Sequence, residues 1–523
     1  MKNQTPLVLH PFLLAVYPVL ALLAFNISQV SINTAVRSLI LMLAGTTIFF
    51  GVLSLLLRDR IRAGLVATLW LVLFSSYGHI YQGLTGVKIG DFILRRHSYL
   101  LPIWLIGGAV ITVLILRRAA KASNLTRALN IAGVAAVLMA ALQIGAYFLR
   151  PGGGSHLSPA ANAPQVNVQA PPGESLPDVY YIILDMYTRQ DVLQDAFHFD
   201  NSEFVDRLEA LGFYVATCSR SNYRSTELSI SSSLNMDYYQ NLIGEASNPN
   251  LAGWIRQSAV RKAFESAGYA SIAFDSGYSP TSVTEAGEYY GSDQSLFNML
   301  TYRGANAFEG MLLKSSLGIL IYDFPTKLGL KPQMLLDGAF ISHRERIQYT
   351  LSTLPELTAQ AGPKFVFAHI LAPHEPFVFD RDGNFTSRNQ PFTLNGDMEY
   401  TTNAYADGYA GQITYLNKRI LPIVQQIIAN SETPPVIILQ GDHGSHRTDL
   451  AAGDTPILNA YYLPGEASDT LYPTISPVNS FRVIFNAYLG AGLALLPDES
   501  YLSEYVSPFH FIRSIDPEPG CAR

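Results

Sequence analysis

The sequence predicts a chain in two solvents: a five-helix transmembrane N-terminal region, followed by an α/β domain with a mostly parallel sheet flanked by helices. Three observations predict it. Apolar residues make up 49% of the 523 positions and concentrate in the first 150. Five segments there are each about as long as the ~20 residues that carry a helix across the hydrocarbon layer. Beyond residue 178, short apolar runs rich in β-branched and aromatic residues alternate with helix-length segments ending at glycine, the pattern of a sheet covered on both faces.

The apolar segments run from Phe12 to Val30, Ala35 to Leu57, Ala63 to Leu84, Leu100 to Leu116 and Ala128 to Leu149. The first is too long for a cleaved leader and carries no convincing small-residue cleavage site, so it reads as a retained anchor. With a cytoplasmic N-terminus, the inner loops carry Arg58, Arg60, Arg62, Arg117, Arg118, Lys121 and Arg127, and the outer loops chiefly Lys88, Arg95 and Arg96. Basic residues favour the cytoplasmic side. Five spans then deliver everything after Arg150 to the outer face, so the expected organisation is a transmembrane domain at 1–150, a flexible linker at 151–177 and an extracytoplasmic domain at 178–523. The linker, PGGGSHLSPAANAPQVNVQAPPGESLP, is rich in Pro, Gly, Ala and Ser and has no apolar period.

A net charge of −6 with no long basic run gives no footprint for nucleic acid. Two cysteines, Cys218 and Cys521, exclude a disulfide framework and leave room for one bridge. Nothing in the chain points to an obligate protein partner.

In the second part, Val179 to Leu184 reads as a strand buried on both faces and is followed by Asp185. Further strands are expected at Ala270 to Phe274, ending at Asp275, at Phe365 to Ala368, and at Val436 to Leu439. Helices are expected around Phe204 to Leu211, Val260 to Ala267 and Ala404 to Ala429. In such sheets ligands bind beyond the carboxyl ends of the strands. Asp185, His369 with His374, and Asp442 with His443 should therefore converge. Carboxylates and imidazoles gathered there suit a divalent cation, although each alone is equally at home as a turn residue or a hydrogen-bonded histidine.

Three segments, in order, resemble the sulfatase and alkaline phosphatase superfamily. PDVYYIILDMYTRQDVL resembles its opening strand, FAHILAPHEPF its H-x(4)-H-x-P stretch, and VIILQGDHGSH its late Asp-His-Gly metal motif. With apolar spans in front, the chain looks most like the membrane-anchored lipoteichoic acid synthases and phosphoethanolamine transferases. Sulfatases draw a formylglycine from a C/S-x-P/A-x-R context, and Cys218-Ser-Arg-Ser-Asn222 lacks both the Pro and the Arg. The stretch from Arg224 to Asn235 instead resembles the transferases' segment in which a threonine leads into a helix. That resemblance makes Thr226 the candidate nucleophile, with Ser225 and Ser229 as fallbacks; an N-cap is the alternative reading of Thr226.

By the same resemblance Asp185, Thr226, Asp442 and His443 bind one divalent metal ion, whether Mn, Zn, Mg or Ca. His374 would contact the transferred group or act as general acid, with His369 and His446 in substrate-binding roles. The second acid of many sulfatases is replaced by Met186, and Arg189 with Asp191 resembles their R-x-D element or a helix-capping pair. The implied function is transfer of a phosphorus-containing headgroup, through a covalent threonine intermediate, from a membrane lipid or lipid-linked donor to a cell-envelope acceptor. A hydrolase of sulfate or phosphate esters and a non-catalytic envelope-binding module are the alternatives.

Overall fold

The computed structural model describes residues 6–27, 29–89, 92–117, 122–149, 160–168, 175–243, 250–291, 304–323, 337–387, 390, 392–394, 400–445, 454–504 and 507–513. It divides into two compact units. The first takes in residues 1–149 together with 294–339 and 388–393; the second holds the remainder.

The first unit is built on α1 (His10–Asn26), α2 (Val36–Leu57), α3 (Arg60–Gly83), α4 (His97–Arg117) and α5 (Ala122–Leu149), with a small hairpin of β1 (Lys88–Ile89) and β2 (Phe92–Ile93) between α3 and α4. Among the described residues, four helices are long and apolar enough to cross a membrane, not five. The exception is α1, whose 17 residues span about 25 Å at 1.5 Å per residue. The chain turns after Asn26, earlier than its apolar composition suggests. Asp59 caps α3 by accepting from the backbone N–H groups of Ile61 and Arg62, which fixes the tight α2–α3 corner.

Residues 304–323 belong to this unit although they lie far along the sequence. Asn306 and Glu309 form a capping box that starts the helix Ala307–Ser315. Glu309 pairs with Arg37, Asn306 Nδ2 donates to the Thr34 carbonyl (3.1 Å), and Gln82 Nε2 donates to the Lys314 carbonyl (2.8 Å). Phe308 is buried against Val19, Leu23 and Ala35, and Ile319 against Tyr77 and Leu100.

The second unit is organised by a seven-stranded sheet. Its strands are β3 (Val179–Leu184), β4 (Tyr214–Val215), β5 (Ala270–Phe274), β6 (Glu288–Tyr290), β7 (Lys364–Ile370), β8 (Val436–Gly441) and β9 (Asn459–Tyr462), in spatial order β4-β9-β8-β3-β7-β5-β6. All pairings are parallel except those of β9 with β8 and β4. Every residue of β3, β7 and β8 is buried, as their unbroken apolar runs require. One face of β3 puts Val179, Tyr181 and Ile183 into a core with Phe264, Phe365, Phe481 and Phe485. After α6 (Gln190–Phe197), the helices that the sequence predicts form as α7 (Ser202–Ala210), Ala259–Ser266 and Thr402–Asn430.

Within the expected linker, residues 160–168 lie against this unit rather than hanging free. Ala160 is buried, Asn162 bonds through its backbone and side chain to the carbonyls of Leu242 and Asn241, and Val166 and Val168 pack on the core. Scattered apolar residues suffice for this without any periodicity. Cys218 is disulfide-bonded, and Cys521, the only other cysteine, lies outside the described residues.

Candidate metal centre

Strand order explains why residues far apart in sequence meet. The central strand β3 has β7 on one side and β8 on the other, in register so that Leu184 is opposite both Ile370 and Gly441. Asp185 therefore leaves the sheet between His369, at the end of β7, and Asp442, just beyond β8. One ligand atom from each of Asp185, His369 and Asp442 lies within 4.8 Å of the others, and all three residues are buried.

Local structure aims these groups. Asp442 Oδ1 accepts the backbone N–H groups of Met186 (3.0 Å) and His443 (2.9 Å), which leaves Oδ2 facing the cluster. Met186 adopts a left-handed backbone, φ 63°, and its carbonyl is held by the Tyr409 hydroxyl. Gly441 lets the turn pass close to the chain, since a Cβ there would sit 2.3 Å from the Tyr187 carbonyl oxygen. His443 Nδ1 donates to the Gly444 carbonyl at 2.8 Å. A carbonyl only accepts, so Nδ1 carries a proton, and in the neutral ring Nε2 presents a lone pair. That Nε2 lies 3.5 Å from Asp442 Oδ2 and 3.8 Å from Asp185 Oδ1.

Thr226 is the first residue of α8 (Thr226–Asn235), and the N-cap position is occupied by Ser225, whose side chain makes no capping bond. The capping alternative for Thr226 is thus set aside. Its Oγ1 lies 3.2 Å from His443 Nε2. Ser229, one turn on, is buried and committed to the Asp442 carbonyl at 2.6 Å. His369, expected to touch substrate, stands instead among the carboxylates, its Nε2 3.4 Å from Asp185 Oδ2. His374 is buried; its backbone N–H donates to the Asp185 carbonyl (3.0 Å) and its Nδ1 to the Glu375 carbonyl. His446 lies outside the described residues. Arg189 and Asp191 pair bidentately at the start of a helix, Gln190–Phe197.

The electrostatics fit a cation. Asp185 Oδ1, Asp442 Oδ2 and His369 Nε2 are buried without a hydrogen-bond partner among the described residues, a costly arrangement unless an electrophile joins them. Burial pushes the Asp185 carboxyl up, yet the imidazoles of His374, His369 and His443 outweigh it and hold Asp185 well below the usual carboxylate range. Burial opposes a charge on His374, but the Asp185 and Glu375 carboxylates more than offset it and raise its pKa. Oxygen and imidazole donors in this number suit a divalent ion.

Sequence reasoning missed several neighbours. Thr281 Oγ1 lies 2.9 Å from His369 Nδ1, and Tyr278 donates to Glu227, next to the threonine, at 2.7 Å. Burial raises the Glu227 pKa, against the Tyr278 hydrogen bond. His343 is buried too, with its pKa lowered to about 3 by burial and by the charges of Arg346 and His374. The signal that could have found the first two is the strand-end rule applied to the loop after Asp275.

A family model described as Sulfatase matches residues 177–479, more than half of the chain. No curated protein matches. Among solved structures, the chain is similar to the C-terminal periplasmic domain of EptC from Escherichia coli in complex with zinc, at 13% identity and a TM-score of 0.43, covering 68% of this chain and 96% of that one. It is also similar to the integral membrane lipooligosaccharide phosphoethanolamine transferase A of Neisseria meningitidis, at 12% identity and a TM-score of 0.37, covering 92% and 94%. A third is the phosphonate monoester hydrolase of Agrobacterium radiobacter, at 14% identity and a TM-score of 0.37, covering 62% and 80%. The family model matches more than half of the chain, and the strand order gathers candidate metal donors at one rim of the sheet: the chain belongs to the sulfatase family of enzymes.

Proposed function

We propose that this enzyme transfers a phosphorus-containing headgroup from a lipid-linked donor to a cell-envelope acceptor, through a covalent intermediate on Thr226, at the outer face of its membrane. The observation that carries the reading is the Thr226 hydroxyl at the start of α8, 3.2 Å from a lone-pair nitrogen of His443 and beside two partnerless carboxylate oxygens. Asp185, Asp442, His443 and Thr226 would hold the cation. When bound, a divalent metal lowers the pKa of a coordinated hydroxyl and neutralises charge on phosphoryl oxygens.

The residues supply the rest. Thr226 Oγ1, its proton given up to solvent, attacks phosphorus in line, forming one P–O bond as the bond to the lipid oxygen breaks. The N–H groups of the first turn of α8 face the phosphoryl oxygens with the positive end of the helix dipole. His374, whose Nδ1–H is anchored on the Glu375 carbonyl, gives the proton on Nε2 to the departing oxygen. In the second half an acceptor hydroxyl loses its proton to His374 and attacks the phospho-threonine, which returns Thr226 to its free form. Cys218 cannot serve as a formylglycine precursor while it is disulfide-bonded.

The internal arrangement of the membrane unit supports an outer-face site. Asn130, early in α5, accepts from the backbone N–H of Leu9 and His10, and Thr68, early in α3, bonds His10 Nδ1. Farther along, Val19 and Leu23 cluster with Ile144. So α1 runs parallel to α3 and α5. Residues 304–323 meet the end of α1, the start of α2 and the α3–α4 corner, opposite the side that holds Arg58, Arg60, Arg62 and Arg117. The disulfide agrees with an oxidising compartment.

The test is product analysis with vesicles of phosphatidylethanolamine and phosphatidylglycerol. Transfer releases diacylglycerol and leaves the headgroup phosphate on an added acceptor alcohol. Release of free headgroup phosphate whatever the acceptor would make the enzyme a hydrolase, and no release of diacylglycerol would remove the lipid-linked donor.

A further inference from the structure

The loop after β5 is pinned before it reaches the metal centre. Asp275 Oδ1 accepts the Gly277 backbone N–H (3.0 Å), and Asp275 Oδ2 accepts from Arg346 Nε (3.0 Å) on the helix Gly338–Thr353. Gly277 sits at φ +82°, and a Cβ there would fall 2.6 Å from Arg346 Nη1. From this turn, two buried hydroxyls point inward in series. Ser276 Oγ lies 3.0 Å from the Tyr278 carbonyl and 2.9 Å from Thr281 Oγ1; Thr281 Oγ1 lies 3.3 Å from the same carbonyl and 2.9 Å from His369 Nδ1.

Proton bookkeeping gives the chain a direction. The Tyr278 carbonyl only accepts, and the Thr281 hydroxyl can donate to it or to Ser276, leaving a Thr281 lone pair for His369 Nδ1–H. His369 Nε2 then carries a lone pair. The opposite tautomer would aim an Nε2–H at Asp185 Oδ2, 3.4 Å away and outside good hydrogen-bond geometry, and would leave Nδ1 to accept from Thr281. A lone-pair nitrogen facing a carboxylate oxygen at 3.4 Å is repulsive until a proton or a metal cation joins them.

We propose that Thr281, backed by Ser276, is a positioning residue that fixes His369 with its Nε2 lone pair toward Asp185 and Asp442, so that His369 is a further metal ligand. Its consequence is metal choice. With His443, the site then offers two imidazole nitrogens beside its carboxylates, a donor set that favours zinc over the oxygen-seeking magnesium and calcium. This inference rests on the metal centre described under the proposed function.

The experiment measures cation affinity directly, on the full-length detergent-solubilised chain stripped by chelator, using zinc and magnesium alone in competition with a chromophoric chelator. Thr281→Val should weaken zinc about 10- to 100-fold, the usual size of losing a group that orients a metal-bound histidine. His369→Ala should weaken it at least as much, and magnesium should change less than about threefold in both. Thr281→Ser, which restores the hydroxyl, should recover zinc affinity, and Ser276→Ala should give a smaller loss in the same direction. Unchanged zinc affinity in His369→Ala, with Asp442→Asn still weakening it about 100-fold, overturns the inference and leaves the metal centre standing. Zinc binding unchanged in Asp442→Asn and Asp185→Asn as well overturns the metal centre itself.

Discussion

Asp442→Asn should change the sign of its effect on stability according to whether a divalent cation is present. The substitution keeps Oδ1, which accepts the N–H groups of Met186 and His443, and replaces only Oδ2, which is buried without a partner. Ligand atoms of Asp185 and Asp442 lie within 4.8 Å, and two like charges at that separation repel by about 3.5 kcal/mol at an effective dielectric constant of ~20. The imidazoles of His369, His374 and His443 offset part of this. Without metal, the variant should therefore be as stable as the parent or up to about 2 kcal/mol more stable. With metal the order reverses. A cation at 1,000 times its Kd stabilises the folded chain by about 4 kcal/mol, and a ~100-fold weaker site retains only about 1.4 kcal/mol of that. Denaturation of the purified chain in chelator, and again in zinc or manganese, reads both arms. A metal-free variant destabilised by more than about 3 kcal/mol would mean that Oδ2 makes a structural contact, and equal protection of both proteins by the cation would mean that Asp442 is not a ligand; either result refutes the reasoning.

Thr226→Ala removes a weak 3.2 Å contact at the first position of a helix, where Ala has the better propensity. Its melting temperature should move by less than about 3 °C, while turnover measured by diacylglycerol release falls at least ~1,000-fold. His374→Gln should slow release of a lipid alkoxide by about 10²- to 10⁴-fold but affect a nitrophenyl phosphodiester, whose leaving group needs no proton, far less; equal losses would deny it the role of acid. A double-mutant cycle on Arg37 and Glu309, a pair with side chains only 15% and 11% exposed, should give a coupling of about 1–3 kcal/mol. Each single variant should also speed proteolysis within 304–323. A membrane-impermeant thiol reagent applied to intact cells should label a cysteine placed at Ser98 and spare one placed at Arg58; the reverse pattern would invert the orientation.

The sheet was legible because β3, β7 and β8 are buried on both faces and so appear as unbroken apolar runs, with chemistry-bearing residues immediately after each. Asp185, Asp442 and His443 followed from that rule alone, and the resemblance added Thr226. Less legible was what depends on contacts between distant segments. The same rule brought His369 to this rim, but its place among the carboxylates follows only from the register that sets it opposite Ile183, two residues before Asp185. Thr281 and Ser276 lie in a polar loop whose hydroxyls acquire direction only from the turn at Asp275. Composition counted five spans, but α1 stops after 17 residues, because apolar content does not register where the chain turns. Nor could periodicity assign residues 304–323 to the membrane unit, since the Arg37–Glu309 pair that ties them there joins positions 272 residues apart.

The covalent intermediate is the heart of the account, and mass spectrometry of the enzyme quenched during turnover on lipid vesicles tests it most directly. Transfer through Thr226 requires a headgroup-phosphate mass increment on the peptide containing Thr226, present only with metal and lost when an acceptor alcohol is added. Steady turnover with an unmodified Thr226, undiminished in Thr226→Ala, would contradict it.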